Sequence, residues 1–163
     1  LEAQTMLIPL IVSGIVALVL AAGGGLLTDI GPWYRNLTKP RLQPPDWLFG
    51  PAWTLILGAW AYAAALCWVA APDAATQTRV VLAFGVNALL HFLWSPLFFK
   101  LKRPDWALIE IVPFWLSILA LILVAAPLSE LAAWLLVPYI SWVSFAAGLN
   151  WKIVKLNGPF GAR

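Results

Sequence analysis

Five long apolar runs, separated by short polar interruptions, occupy most of the chain. They cover residues 6–27, 47–71, 78–99, 106–126 and 131–153. A hydrocarbon core ~30 Å thick needs ~20 apolar residues per crossing helix, so the pattern predicts five membrane spans. The links 72–77, 100–105 and 127–130 are short and permit only antiparallel neighbours. The connection over residues 28–46 is the long one, and long connections in compact domains tend to carry function. The first run exceeds the ~7–15-residue apolar stretch of a secretory signal and has no basic segment before it, so it reads as a span. No stretch remains for a separate soluble domain. The expected architecture is an all-α integral membrane protein, one domain over residues 1–163, folded as a five-helix bundle with a structured first connection.

Composition agrees with the pattern. The 163 residues are 63% hydrophobic and 10% charged, where soluble domains carry roughly 25% charged residues, and the mean hydropathy is +0.88. The cations are sorted by side. Arg35, Lys39, Arg41, Lys100, Lys102, Arg103, Lys152, Lys155 and Arg163 fall on one side of the predicted bundle and Arg79 alone on the other. Cytoplasmic segments are enriched in Lys and Arg, so the N-terminus is expected outside and the C-terminus in the cytoplasm, as in a multi-pass bacterial inner-membrane protein. The net charge of +3 then reflects topology, and nucleic acid is not an expected partner. Cys67 and His91 are the only residues of their kinds. An intrachain disulfide, a multi-histidine metal site and an intrinsic metal cofactor are not expected.

The long connection and the start of the second span read WYRNLTKPRLQPPDWLFGPAWT. Pro40, Pro44, Pro45 and Pro51 impose a stiff, non-helical path, and Trp33, Trp47 and Trp53 supply large amphipathic surfaces. The segment is expected to act as a lid, with Pro40, Pro44, Pro45 and Trp47 as lid residues, and Gly23–Gly25 are expected to turn the chain into it. Each span holds a proline (Pro9, Pro51, Pro96, Pro113, Pro138) and is expected to bend there, leaving gaps between helices. At ~1.5 Å per residue, Trp53 lies ~9 Å, His91 ~12 Å and Trp142 ~15 Å below the cytoplasmic ends of their helices. They fall in one layer beneath the connection. Asn87, His91, Trp94 and Phe98 form one helical stripe, Tyr139, Trp142, Ala146 and Asn150 a second, and Trp53 with Trp60 a third. Polar side chains at such depth face the bundle interior, so the three stripes are expected to line one cavity. Trp47, Trp68, Trp106, Trp134 and Trp151, near span ends, read as interfacial anchors. Glu110 is expected to pair with Lys102 or Arg103.

WYRNLTKP (33–40), PPDWLFGPAWT (44–54), LWSPLFF (93–99) and VPYISWVSFAAGLN (137–150) resemble the translocator protein family, also called tryptophan-rich sensory proteins or peripheral-type benzodiazepine receptors. The resemblance covers nearly the whole chain. It implies a five-helix bundle whose first connection covers a ligand pocket, a tetrapyrrole (porphyrin, haem or chlorophyll-type pigment) or similar apolar small molecule as ligand, membrane lipid around the bundle, and pairing as a homodimer. It places the family's pocket tryptophans on Trp53 and Trp142, and a small position tied to ligand effects on Ala146. Where the family pattern has Gln and Asn on the third span, this chain has Asn87 and His91. Where it has Tyr and Met on the second, this chain has Leu57 and Trp60, and Leu42 stands for a lid tryptophan. The resemblance therefore implies a bacterial member with an altered pocket. Stripes and resemblance together give the candidate ligand-binding set Trp33, Trp53, Leu57, Asn87, His91, Trp94, Phe98, Tyr139, Trp142, Ala146 and Asn150.

His91 has two readings: an interhelical hydrogen-bonded histidine, or an axial ligand to a bound metallotetrapyrrole. Leu149, Trp151 and Lys155 only approximate the family's proposed sterol motif, and cholesterol is not an expected ligand. Three functions remain open. The chain is a receptor or carrier that encloses a tetrapyrrole and regulates pigment metabolism, an accessory subunit of a pigment-synthesis or light-harvesting assembly, or a catalyst of light-dependent porphyrin degradation through Trp53 and Trp142. No conventional acid–base or nucleophile set is present for an enzyme.

Overall fold

The computed structural model describes residues 2–161, with side chains from Thr5 onward; Arg163, one of the nine cations assigned to the cytoplasmic side, lies outside the described residues. Five helical segments are long and apolar enough to cross a membrane: Thr5–Leu27, Asp46–Ala70, Ala74–Lys100, Pro104–Ala125 and Glu130–Asn157. The protein is an all-α, multi-pass membrane bundle. We label its helices α1 (Glu2–Leu27), α2 (Pro32–Asn36), α3 (Asp46–Ala70), α4 (Ala74–Ser95), α5 (Pro104–Ala125), α6 (Glu130–Leu135) and α7 (Val137–Asn157). The main pairings are α1 on α3, α4 on α5 and α5 on α7. Side chains such as Ile8, Leu18, Leu55, Ile109 and Leu123 are more than half exposed and form the lipid-facing surface.

Caps and prolines explain where the helices begin. α4 starts four residues earlier than hydropathy alone predicts, because Asp73 caps it by accepting the Thr76 N–H at 2.7 Å. That hydrogen bond holds the Asp73 carboxyl below its usual range. Ser129 caps α6 in the same way, through the Ala132 N–H at 3.2 Å. Pro9, Pro51 and Pro113 lie inside helices, as expected. Pro96 and Pro138 also lie within crossings, each at the first or second position of a new helical segment. Pro96 begins a π-helical turn, Pro96–Lys100, closed by Leu101 N–H on Pro96 O at 2.9 Å. Pro138 follows the break at Leu136 that divides the fifth crossing into α6 and α7.

Two local expectations are corrected. Gly23–Gly25 do not turn the chain: α1 runs on to Leu27, and Thr28 N–H still bonds Gly24 O at 3.0 Å. At Gly23 a side chain would meet the Phe92 ring at 2.6 Å, so this glycine permits α1 to approach α4. Glu110 does not pair with Lys102 or Arg103. The Arg103 guanidinium is taken by Asp105, two residues along, at 2.8 and 2.5 Å, and lies over the Trp106 ring at 4.1 Å. Both Glu110 carboxyl oxygens are buried without a hydrogen-bond partner among the described residues.

The connection from α1 to α3 is an ordered path. Tyr34 on α2 is buried and packs on Phe99 with centroids 5.5 Å apart. Lys39 folds back over the Tyr34 ring at 4.4 Å and donates to Tyr34 O at 2.8 Å. The Asn157 amide at the end of α7 grips Thr38 twice, accepting its N–H at 2.7 Å and donating to its carbonyl at 2.8 Å. Leu42 and Trp47 project outward and are largely exposed.

Candidate functional site

The α1–α3 connection and all five crossings contribute to the walls of a cavity of about 470 Å³. Its walls are mostly aromatic. α3 contributes Phe49 and Trp53, α4 and the turn after it contribute His91, Trp94 and Phe98, α5 contributes Phe114 and α7 contributes Trp142. Trp53 is the hub, edge-on to His91 at 4.8 Å and to Trp142 at 6.3 Å between centroids. Phe49 closes on Trp142 at 5.7 Å, and Trp94 stacks on Phe98 at 5.0 Å with planes 29° apart. Small residues leave the space between these rings: Ala21, Gly24 and Gly25 on α1 and Ala146 on α7. Among the described residues, no lysine or arginine lines the cavity.

Polar groups at the cavity fall into two sets. At the connection end, Gln43 Nε2 donates to Tyr34 Oη at 2.9 Å, and Tyr34 Oη donates to Asp46 Oδ1 at 3.4 Å. Burial, with the Asp46 charge second, pushes the Tyr34 phenol up to about 12, so Tyr34 stays a donor at neutral pH. Deeper in the bundle, His91 Nδ1 lies 2.8 Å from Tyr139 Oη. Behind it, Asn87 Oδ1 accepts from Trp60 Nε1 at 2.9 Å and from Tyr139 Oη at 3.2 Å. Asn87 Nδ2 donates to Ser117 Oγ at 3.0 Å. Asn150 ties α7 to two neighbours, accepting from Trp94 Nε1 at 3.1 Å and donating to Pro104 O at 2.9 Å. Two wall groups, Gln43 Oε1 and Trp142 Nε1, are buried without a hydrogen-bond partner among the described residues; the first can accept a hydrogen bond and the second can donate one. Among the described residues, no three His, Cys, Asp or Glu side chains come together as a metal site.

The TspO/MBR family model matches residues 11–156, nearly the whole bundle. The chain belongs to the TspO/MBR family. It is 38% identical to the tryptophan-rich protein TspO of Chlorobaculum tepidum over 125 residues, covering 77% of this chain and 79% of that one. It is 33% identical to the protein of the same name from Archaeoglobus fulgidus, over 93% of this chain and 98% of that one. Similarity extends to the translocator protein of Homo sapiens, 32% identical over 77% of this chain and 75% of the human one.

In this TspO/MBR chain Trp53, Leu57, His91, Trp94, Phe98, Trp142, Ala146 and Asn150 line the cavity. Asn87 and Tyr139 stand behind that wall, fully buried, and reach the cavity through His91. Trp60 lies with them in the core, against Phe84 at 5.4 Å. Trp33 sits outside the wall, edge-on to Phe98 at 6.1 Å. Pro40, Pro44, Pro45 and Trp47 lie off the cavity; Pro45 occupies the N-cap of α3, so the prolines set the path of the connection. Sequence reasoning missed Tyr34, Gln43, Phe49, Phe114 and the small α1 face. Phe49 has a usable signal, since it precedes Trp53 by four residues on the same helical face. The α1 face lacks one, because small residues there also fit a helix end.

Proposed function

We propose that this TspO/MBR protein binds a flat, apolar ligand of the tetrapyrrole class in the cavity, with the α1–α3 connection as its lid. The supporting observation is the wall: five aromatic side chains from four crossings, Phe49, Trp53, Trp94, Phe114 and Trp142, surround about 470 Å³ of space. Enclosure by ring faces with a few placed polar atoms suits a rigid conjugated ligand. Gln43 Oε1 and Trp142 Nε1 are the unused groups that would orient it. The role is that of a receptor or carrier. The lining departs from the family pattern at Leu57 and His91, so the preferred ligand differs from that of a member with Tyr and Asn there. The cation bias supports a cytoplasmic lid, with the cytosol and the inner leaflet as the sources of ligand.

Titrating detergent-purified protein with free-base protoporphyrin, read by quenching of tryptophan fluorescence, tests this. The expected result is saturable binding that Ala146→Trp weakens by about tenfold or more, since overfilling a packed site typically costs about 1–3 kcal/mol. Unsaturable partitioning, or equal curves for both proteins, would overturn it.

A further inference from the structure

Proton bookkeeping around His91 fixes its tautomer. Trp60 Nε1 can only donate, so the Asn87 atom 2.9 Å from it is the amide oxygen. Asn87 Nδ2 then donates to Ser117 Oγ, whose own proton goes to Phe114 O at 2.6 Å. Tyr139 Oη, 3.2 Å from that same amide oxygen, donates to it and has no second proton. The 2.8 Å contact between Tyr139 Oη and His91 Nδ1 is therefore made by an Nδ1–H of histidine. With Nδ1 turned to buried Tyr139, Nε2 is the nitrogen left without a hydrogen-bond partner among the described residues, on a ring that lines the cavity. Among the described residues no carboxylate is hydrogen-bonded to the ring. In the neutral imidazole with its proton on Nδ1, Nε2 is a Lewis base.

We propose that His91 Nε2 is the single protein ligand to the metal of a flat, already chelated macrocycle, with Tyr139 and Asn87 as positioning residues. Three observations point to a metal. Metal-ligating histidines almost always donate their other N–H to a hydrogen-bonded partner, which fixes tautomer and ring orientation, and the Tyr139–Asn87 chain is such a support. Among the described residues no three ligating side chains meet, so a bare ion finds no site, and a metal held here must bring its own equatorial donors. The ring is flanked edge-on by Trp53 at 4.8 Å and Phe114 at 5.4 Å, which suits a planar chelate. The ligand class is a metallated tetrapyrrole, for which imidazole is an ordinary axial ligand. This rests on the tetrapyrrole reading above and adds a selection for the metallated form.

The test compares zinc protoporphyrin with free-base protoporphyrin on the wild-type protein, His91→Ala and Tyr139→Phe, each in detergent. Wild type is expected to bind the zinc form about tenfold or more tightly, with the red-shifted absorption maximum of an axially ligated zinc porphyrin. His91→Ala should abolish the shift and lower affinity for the zinc form about tenfold or more beyond any change in free-base affinity. Tyr139→Phe should keep free-base affinity but move the zinc absorption maximum, a change a merely structural role would not produce. If the free base binds and the wild-type protein shows neither preference nor shift, His91 ligation is overturned and the cavity reading survives. If neither porphyrin binds saturably, both are overturned. The wild-type spectrum decides even where a variant fails to fold.

Discussion

Asn87 holds four elements together through one amide, meeting Trp60 on α3, Tyr139 on α7 and Ser117 on α5. Leaving a buried donor unpaired costs about 1–3 kcal/mol. Asn87→Ala is therefore expected to lower the melting temperature in detergent by several degrees, given about 2–4 °C per kcal/mol for a chain of this size. Trp142 presents the opposite case, because its Nε1 has no hydrogen-bond partner to lose among the described residues. Replacing it by Phe should leave thermal stability within about 0.5 kcal/mol and reduce porphyrin affinity in fluorescence titration. A large fall in stability would show that the indole serves the fold. The stripes on α4 and α7 were legible because helical periodicity carries side chains of one kind onto one face. Periodicity does not say which member of a stripe stops at the cavity and which passes behind it. Asn87 and His91 belong to one stripe, yet a hydrogen bond from the distant Trp60 draws Asn87 into the core and leaves His91 at the wall.

The connection is clamped at one point to α7 and packed at another on the turn after α4. Asn157 supplies two hydrogen bonds to Thr38, each worth about 1 kcal/mol net. Asn157→Ala should raise the opening equilibrium by roughly tenfold or more, visible as faster amide hydrogen exchange over residues 37–43 with the spans unchanged. Uniform protection in both proteins would count against the clamp. Tyr34 adds a pH limit. Its pKa is raised by burial to about 12, above the ordinary ~10 of tyrosine. The packed state therefore holds the proton where the open state releases it, so its contribution is fully present below about pH 10 and is lost as pH rises through about 12. Exchange over the connection should accelerate in that window. The apolar runs made five crossings legible to within a few residues. Where the boundaries moved, a cap or a proline decided: Asp73 advanced the start of α4, and Pro138 divided the last crossing. The path of the connection was not legible, because Asn157 and Tyr34 act through contacts distant in sequence.

For the bundle as a whole, lipid-facing apolar surface and short links define a TspO/MBR fold in which one cavity lies under the long connection. The proposed sidedness rests on the cations. In a Cys67→Ser background, which removes a buried thiol, Ala75→Cys should react with a membrane-impermeant maleimide on intact cells, and Lys102→Cys only after lysis. The reverse pattern would invert the orientation and move the cavity mouth to the outside. The five-helix layout was legible because hydrophobic thickness constrains every span alike. The wall contributed by α1 was not, since Ala21, Gly24 and Gly25 matter for the volume they leave open and carry no distinctive chemistry. The central claim is that a flat conjugated ligand occupies this cavity, and a structure of the protein with bound protoporphyrin tests it most directly. The macrocycle is expected between Trp53, Trp94 and Trp142, beside His91 and beneath Tyr34. A macrocycle on the lipid-facing surface, with those side chains packed as they are here, would contradict it.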